Sequence, residues 1–139
     1  MAKRENNRQL ILEFYKSING TVKTRELLAD YTTDPRLTDH LLFLEGLLPK
    51  FSLTPEEITT EQDRVIVRAM LTGKHSGKVE GVKPTQKTVN TVFATGYKIE
   101  NRKIIDHWFI TDQMELIKQL GLATRLEKTT NNDPDLENV

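Results

Sequence analysis

The sequence has 139 residues, a length that suits one domain able to bury a hydrophobic core. Its 20 basic and 20 acidic residues give a net charge of zero, which argues against nucleic acid or an anionic membrane as a partner. The chain has no cysteine, which excludes disulfide scaffolds and thiolate metal sites, and it has no apolar segment typical of a signal peptide or membrane span, so we expect a soluble, cytoplasmic protein.

Three helices are predicted in the first part of the chain. The first ends at Asn19-Gly20. Its apolar residues recur at helical spacing and are Leu10, Ile11, Phe14, Tyr15 and Ile18. A second, shorter helix is predicted from about Val22 to Asp30. The third has Asp34 as its capping residue and Pro35 in its first turn, and Pro49 ends it. Its buried stripe is predicted to be Leu37, Leu41, Leu44 and Leu48.

Four β-strands are predicted after the third helix, because β-branched residues and period-two alternation replace the helical pattern. Their predicted bounds are Ser52–Thr60, Arg64–Lys74, Thr88–Glu100 and Lys103–Thr111. Pro55 indicates that the first is an edge strand, since proline has no N–H to donate to a neighbouring strand. The loop Ser76–Gln86 is too long for a tight hairpin and is a candidate lid over an end of the sheet.

A last helix is predicted to start at Asp112, whose side chain can cap it while Glu115 reaches back, and to end at Gly121. The polar residues 127–139 are predicted to form a mobile tail, so that the folded domain spans residues 1–126. Helices followed by a run of antiparallel strands indicate the α+β class.

Several strings of the sequence resemble those of one protein family and follow its order. They are Asp63–Arg68, Gly73–Gly77, Gly81–Lys87 and Lys103–Trp108, followed by Asp112 and by Gln119-Leu120-Gly121. From Leu10 to Leu122 the sequence is thereby similar to the SnoaL-like polyketide cyclase and predicted ester cyclase family.

This resemblance implies a nuclear transport factor 2-like cone, in which a curved antiparallel sheet and N-terminal helices enclose a pocket. It also implies homo-oligomers formed through the sheet. The characterised cyclases of the family use no metal or cofactor and catalyse an intramolecular aldol condensation, in which a carboxylate moves a proton at carbon. We therefore expect a small apolar oxygenated molecule as the ligand, and a homodimer or higher homo-oligomer as the assembly.

The same resemblance indicates where this chain departs from the family. The acid/base aspartate of the characterised cyclases lies three residues before the aspartate that starts the last helix, a position that here is Phe109. A histidine that assists it lies on the preceding strand, at the position of Thr95. The family's fold is therefore expected here without its acid/base carboxylate.

Strand alternation provides another candidate for proton transfer. It predicts that Ile105, His107, Phe109 and Thr111 share one face of the last strand, while Ile104, Asp106, Trp108 and Ile110 share the other. If Phe109 lines the cavity, His107 does so too and is the candidate catalytic residue, because imidazole titrates near neutral pH. The alternative is a histidine that makes a structural hydrogen bond within the sheet.

Candidates for ligand binding lie on the last two strands and on the third helix. They are Phe93, Thr95, Tyr97, Phe109, Thr111 and His40. Asp112 is interpreted as a helix cap rather than as a catalytic carboxylate. The three histidines lack the spacing of a metal site, so we expect neither a metal nor a cofactor.

Three functions therefore stay open on the sequence alone. The first is a small enzyme of the polyketide cyclase or ester cyclase type. The second is a binding module that has the cavity without turnover, which Phe109 favours. The third is a protein-interaction subunit that uses the open face of the sheet.

Overall fold

The computed structural model describes residues 2–78 and 83–121. Its elements in chain order are α1 (Ala2–Ile18), α2 (Arg25–Ala29), α3 (Pro35–Leu47), β1 (Ser52–Glu61), β2 (Arg64–Lys74), β3 (Thr88–Glu100), β4 (Lys103–Thr111) and α4 (Gln113–Gln119). The predicted tail, the predicted domain end at Leu126 and part of the candidate lid lie outside the described residues.

The four strands form one antiparallel sheet in the order β1-β2-β3-β4. Each predicted strand agrees with an observed one to within one residue at either end. β1 lies at an edge, as Pro55 predicts, and its pairing with β2 shifts register between Pro55 and Glu57. Such a bulge accommodates the missing N–H at the margin of the sheet, where no further strand needs it.

Helices cover one face of this sheet, and the hydrophobic core lies between the two layers. In β2, buried Val65 and Val67 alternate with exposed Ile66 and Arg68, as expected for a sheet with one solvated face. The core residues of α1 and α3 are Leu10, Ile11, Phe14, Tyr15, Ile18, Leu37, Leu41, Leu44 and Leu47. Any cavity formed by the covered face therefore lies beneath the helices.

Helix starts are set by capping side chains. The second helix is shorter than predicted because Thr24 is extended, with φ −124°, and its Oγ1 accepts a hydrogen bond from the Leu27 N–H at 3.1 Å. For α3 the prediction is confirmed, since Oδ1 of Asp34 accepts from the Arg36 N–H at 2.9 Å. Both helices therefore begin where a polar side chain satisfies their first free N–H groups.

A β-bulge in β4 corrects part of the predicted alternation. Lys98 pairs with Asp106 and Ile99 with Ile104, which leaves Ile105 as the extra residue. Ile104 is fully buried in the core, so its assignment to the face of Asp106 is wrong. Beyond the bulge, half-buried and exposed residues alternate from Asp106 to the end of the strand as predicted.

The last helix, α4, is capped by Asp112, whose Oδ1 accepts from the Glu115 N–H at 2.9 Å. The Glu115 carboxylate does not complete a capping box as expected, because it accepts from Gln119 Nε2 at 2.9 Å. Gly121 follows the helix with a left-handed φ of +82°, as predicted for this position. Within the described part of the chain, no helix is long and apolar enough to cross a membrane.

Candidate functional site

His107 and Asp34 form a close pair between β4 and the start of α3. Nδ1 of His107 lies 2.6 Å from Oδ2 of Asp34, and the two side chains are 9% and 4% exposed. Because an ionised carboxylate can only accept, Nδ1 is the donor in this charge-assisted hydrogen bond. The other ring nitrogen, Nε2, has no hydrogen-bond partner within residues 2–78 and 83–121, and it is the atom left for a ligand.

Backbone contacts just before α3 place Asp34 beside β4. Thr32 forms a parallel bridge with Ile104, and its Oγ1 donates to the Ile104 carbonyl at 2.8 Å. The Asp34 N–H in turn donates to Thr32 Oγ1 at 2.9 Å. The segment is therefore fixed along the edge of β4, and each carboxylate oxygen of Asp34 has its own partner, the helix for Oδ1 and His107 for Oδ2.

The Asp34 carboxylate is held in its charged form. Burial is the largest single influence and raises its pKa, but the hydrogen bonds from His107 and from the Arg36 N–H, together with the charge of His107, lower the pKa below its ordinary value. A charged acceptor fixes both the tautomer and the orientation of the imidazole. The arrangement can therefore support proton exchange at Nε2.

Phe109 lies two residues beyond His107 on the same face of β4 and is half-buried. Its ring meets the His40 ring edge-on, with centroids 4.5 Å apart, and lies tilted against Phe93 at 5.2 Å. Predicted residues from α3, β3 and β4 thus come together as an aromatic cluster of Phe93, Phe109 and His40. Its apolar surface is of the kind that packs against a flat ring.

His40 is half-buried, and its ring makes no hydrogen bond to the part of the chain that the structure describes. Burial, and after it the charge of His107, lower the pKa of His40 below its ordinary value. His40 is therefore neutral at physiological pH, with both ring nitrogens free of protein partners among the described residues.

Tyr97 pairs with His107 across the strands and is buried. Its hydroxyl lies 2.7 Å from the hydroxyl of Tyr15, so that one phenol donates to the other. Burial raises the pKa of Tyr97 to about 12. Burial and the neighbouring Tyr97 also hold the pKa of Tyr15 well above its ordinary value. Both phenols are therefore protonated donors beneath His107.

The two predicted threonines use their hydroxyl protons within the sheet. Thr95 Oγ1 donates to the Trp108 carbonyl at 2.9 Å, and Thr111 Oγ1 donates to the Val92 carbonyl at 3.2 Å. Each oxygen can still accept a hydrogen bond, but neither side chain is free to donate one. Their predicted part in ligand binding stays a prediction.

The carboxylates of Asp106 and Asp112 have partners other than the His107 ring. Asp106 is 54% exposed and pairs with Arg36 at 2.6 Å on the surface, as the alternation predicts. Asp112 is exposed and caps α4. Residues 2–78 and 83–121 contain no group of three His, Cys, Asp or Glu side chains arranged to hold a metal ion.

A surface cleft of about 500 Å³ lies elsewhere, between the start of α1 and the turn that joins β3 to β4. It is lined by Lys3, Asn6, Asn7, Ile99, Glu100, Asn101 and Arg102. None of the predicted site residues lines it. The cleft is therefore separate from the His107 pair and its aromatic neighbours.

Sequence reasoning singled out His107, His40 and Phe109 as candidates but missed the carboxylate that pairs with His107. Asp34 was interpreted as a helix cap alone, which it is. Its contact with His107 spans 73 positions of sequence, and no local pattern marks it. Asp34 followed by Pro35 is the usual pattern of a helix start, so nothing in the sequence indicates a second role for Asp34.

Comparison with known proteins identifies one family and several related structures. The model of the SnoaL-like polyketide cyclase family matches residues 41–120. A proposed SnoaL-like polyketide cyclase from Jannaschia sp. CCS1 is 19% identical, with a TM-score of 0.73 over 86% of this chain and 94% of that one. AclR, a proposed hydroxylase from Streptomyces galilaeus, is 21% identical, with a TM-score of 0.72 over 97% of this chain and 96% of that one.

A third structure, a proposed polyketide cyclase from Acidithiobacillus ferrooxidans, is 18% identical, with a TM-score of 0.71 over 85% of this chain and 96% of that one. Identities this low show a shared fold, and they leave the chemistry of each protein to its own residues. No curated protein matches the chain.

Proposed function

The chain belongs to the SnoaL-like polyketide cyclase family, and we propose that it acts on a small apolar oxygenated molecule by cofactor-independent proton transfer at His107. Its fold is the α+β, nuclear transport factor 2-like fold of that family. The observation that carries the proposal is the 2.6 Å contact between His107 Nδ1 and Asp34 Oδ2, beside an aromatic cluster.

His107 exchanges protons through Nε2. The Asp34 carboxylate holds Nδ1–H, so the ring keeps one orientation and the charge that forms on it is balanced. A carboxylate that orients an imidazole in this way is a recurrent arrangement for general acid/base work. The reaction therefore needs no metal, only a ligand whose acidic or basic atom lies against Nε2.

Phe109 supports a mechanism different from that of the characterised cyclases. By the resemblance it stands at their acid/base position, and a phenyl ring cannot exchange protons. The half-buried ring makes the surroundings drier, which opposes the ionised form of any carboxyl group placed there. Proton transfer in this chain is consequently assigned to His107, two residues earlier on the same face.

The residues around His107 indicate the chemical class of the ligand. Phe109 and His40 provide flat, weakly polar surface that is backed by buried Phe93, and His107 is the polar group two residues before Phe109 on the same face of β4. Such a site fits a ring system that carries a carbonyl or hydroxyl oxygen.

The lack of cysteine is also in keeping with our proposal that the protein is cytoplasmic.

The test is an NMR titration of the three histidine rings with a panel of hydroxylated naphthalenes and anthraquinones. His75 is fully buried and hydrogen-bonded to Thr85, and it serves as the internal control. We expect the ring signals of His107 and His40 to move while those of His75 stay in place. A panel that binds without affecting His107 would remove it from the site.

A binding module without turnover is the second candidate, and Phe109 favours it. The two candidates differ in one measurement, the exchange of a carbon-bound proton of the bound molecule with deuterated solvent. An enzyme of the proposed kind accelerates this exchange, and His107→Gln slows it. A binding module binds the same compound and leaves the exchange rate unchanged.

We also propose that the chain forms a homodimer or higher homo-oligomer through the open face of the sheet. Apolar side chains are exposed there, with Trp108 40% and Ile110 65% accessible. They are contiguous with Ile66 and Val92, because Ile66, Gly96 and Trp108 form one row across three strands. Apolar patches of this kind are typical of protein interfaces. A monomer in solution at high concentration contradicts this assembly.

A further inference from the structure

We propose that His40 is a second catalytic residue, which removes a proton from carbon while His107 delivers one to oxygen. This inference rests on the proposed function, since it requires a ligand beside His107. It assigns separate roles to two histidines on different elements, His40 packed against the Phe109 ring and His107 two residues before Phe109 on β4. The pair takes the place of the single carboxylate that Phe109 replaces.

The first support is geometric. His40 comes from α3 and meets the edge of Phe109 at 4.5 Å between centroids. His107 comes from β4 and lies about 7 Å along the strand from Phe109, on the same face. A flat molecule lying against Phe109 therefore meets one imidazole from the helix and another from the sheet.

The second support is the difference between the partners of the two rings. His107 donates Nδ1–H to a buried carboxylate, which fixes the orientation of its ring and leaves Nε2 for the ligand. His40 has no protein partner within the described segments, and burial and the charge of His107 lower its pKa. Two titratable groups that differ in their hydrogen-bond partners and surroundings are a recurrent basis for paired acid and base roles.

The charges around His40 leave this division of roles intact. His107 is the titratable group that acts on it from the sheet, and Asp34 balances the charge of His107. On its own helix, Arg36 and Asp39 are exposed and take part in surface ion pairs with Asp106 and Arg25. No other group in the described ranges lowers the pKa of His40.

The base strength of imidazole limits the substrate. A base that titrates near neutrality removes protons efficiently only from an activated carbon acid, such as the carbon of a β-dicarbonyl compound. His40 takes that proton, and the C–H electron pair forms a bond to a second carbonyl carbon of the same molecule. The electrons of that C=O bond move to oxygen, which takes a proton from His107 Nε2.

This step is balanced without a co-reactant. One C–C bond forms, one C–H bond and one C=O π-bond are lost, and the new hydroxyl group carries the proton from His107. The product is an isomer of the substrate, so nothing is oxidised or reduced. His40 ends protonated and His107 neutral, and solvent returns the pair to its starting state.

A nitro-substituted benzisoxazole is the probe for the base. Its ring opens when a base removes the carbon-bound proton, as the N–O bond breaks and the coloured phenolate forms. We expect the enzyme-dependent rate of the wild type to rise with pH around a midpoint below that of an ordinary histidine. His40→Gln should abolish this rise and lower the rate about 10²-fold. His107→Gln should keep the rise and move its midpoint to higher pH.

The matched control is Asp39→Asn, which changes the exposed residue next to His40 and should leave both rate and midpoint unaltered. If His107→Gln abolishes the rise and His40→Gln does not, His107 is the base, so this inference fails while the proposed function stands. A rate that neither substitution lowers, or no enzyme-dependent rate at all, overturns both. An NMR midpoint of His40 that His107→Gln leaves unchanged also overturns the pairing.

Discussion

Asp34 contacts His107 through one carboxylate oxygen and caps helix α3 through the other, at 2.6 and 2.9 Å. A single buried side chain therefore links the start of helix α3 to the orientation of the candidate acid/base. Stability and chemistry depend on the same residue. Substitutions that separate the two effects are the most informative ones in this protein.

Asp34→Asn should separate them, because asparagine is also a good helix cap but carries no charge. We expect a loss of about 1.5 kcal/mol in the free energy of unfolding at neutral pH, the usual worth of a hydrogen bond to a charged group. We also expect loss of any proton transfer at His107. Urea denaturation measures the first effect and solvent exchange of a bound probe the second.

The pH dependence of this loss has a definite sign. Folding lowers the pKa of Asp34, so its carboxylate favours the folded state at pH values above the unfolded pKa, and this contribution is lost as the pH falls through the folded pKa. The difference between wild type and Asp34→Asn should therefore be full at neutral pH and shrink below about pH 4. A difference that persists unchanged in acid contradicts the ionic role of Asp34.

Tyr97→Phe should destabilise the protein by about 1–3 kcal/mol, because it leaves the buried hydroxyl of Tyr15 without its 2.7 Å partner. The double substitution with Tyr15→Phe should cost less than the sum of the two single ones, since it removes both polar groups. Urea denaturation of the four proteins completes this cycle. Strict additivity is the result that argues against the pair.

The same tyrosines predict alkaline unfolding. Folding raises the pKa of Tyr97 to about 12, so its contribution is full below the unfolded pKa near 10 and is lost as the pH rises between the two values. Wild-type stability should fall over this range, and Tyr97→Phe should fall less steeply. Parallel curves for the two proteins exclude Tyr97 as a source of the effect.

Asp112→Ala should destabilise the fold by about 1 kcal/mol through loss of the α4 cap, with little change in the binding of a probe. Asp112→Asn keeps a capping side chain and is the control. Thermal denaturation and a binding titration test the two halves of this prediction. A stable Asp112→Ala protein that no longer binds would assign Asp112 to the site instead.

Ile110→Lys should convert the proposed homo-oligomer to a monomer, because it places a charge on the apolar face of the sheet. Gln9→Lys adds the same charge to an exposed position of α1 and should leave the assembly intact. Analytical ultracentrifugation gives the oligomeric state. The sole tryptophan, Trp108, lies on this face, and its fluorescence should shift to the red when the assembly dissociates.

Local chemistry in the sequence predicts most of the fold. Asp34 and Asp112 cap the helices that they were predicted to cap, and the strand bounds follow from β-branched alternation. The bulge at Ile105 was missed because Ile104 and Ile105 are identical, so alternation cannot tell which of them is buried. Two equally apolar neighbours give a bulge no signature in the sequence.

The site could be predicted only in part, for a related physical reason. His107, His40 and Phe109 could be singled out as candidates because strand and helix periodicity orders residues along one element. The partnership of His107 with Asp34 depends instead on the bridge between Thr32 and Ile104, a contact between distant parts of the chain. Periodicity assigns residues to faces of an element, and only the packing of elements shows which faces meet.

Phe109→Asp is the substitution that tests where the family's acid/base position lies in this chain. Replacing the half-buried ring should cost about 3 kcal/mol of stability, because it removes the contacts with Phe93 and His40. If the alignment is right, the new carboxylate should gain proton transfer to a bound aromatic β-dicarbonyl compound. The apolar surroundings raise its pKa toward the range of a useful base.

Two further variants test whether the activity gained by Phe109→Asp comes from the introduced carboxylate. Phe109→Asn has a similar shape without a charge and should lose the same stability while gaining no activity. Phe109→Asp combined with His107→Gln should keep the gained activity, since the introduced carboxylate acts without the histidine. In the wild type, by contrast, His107→Gln should abolish proton delivery to oxygen, because the Phe109 ring has no proton to give. Efficient cyclisation by the wild type that survives His107→Gln would show that the proton is carried by a group other than these.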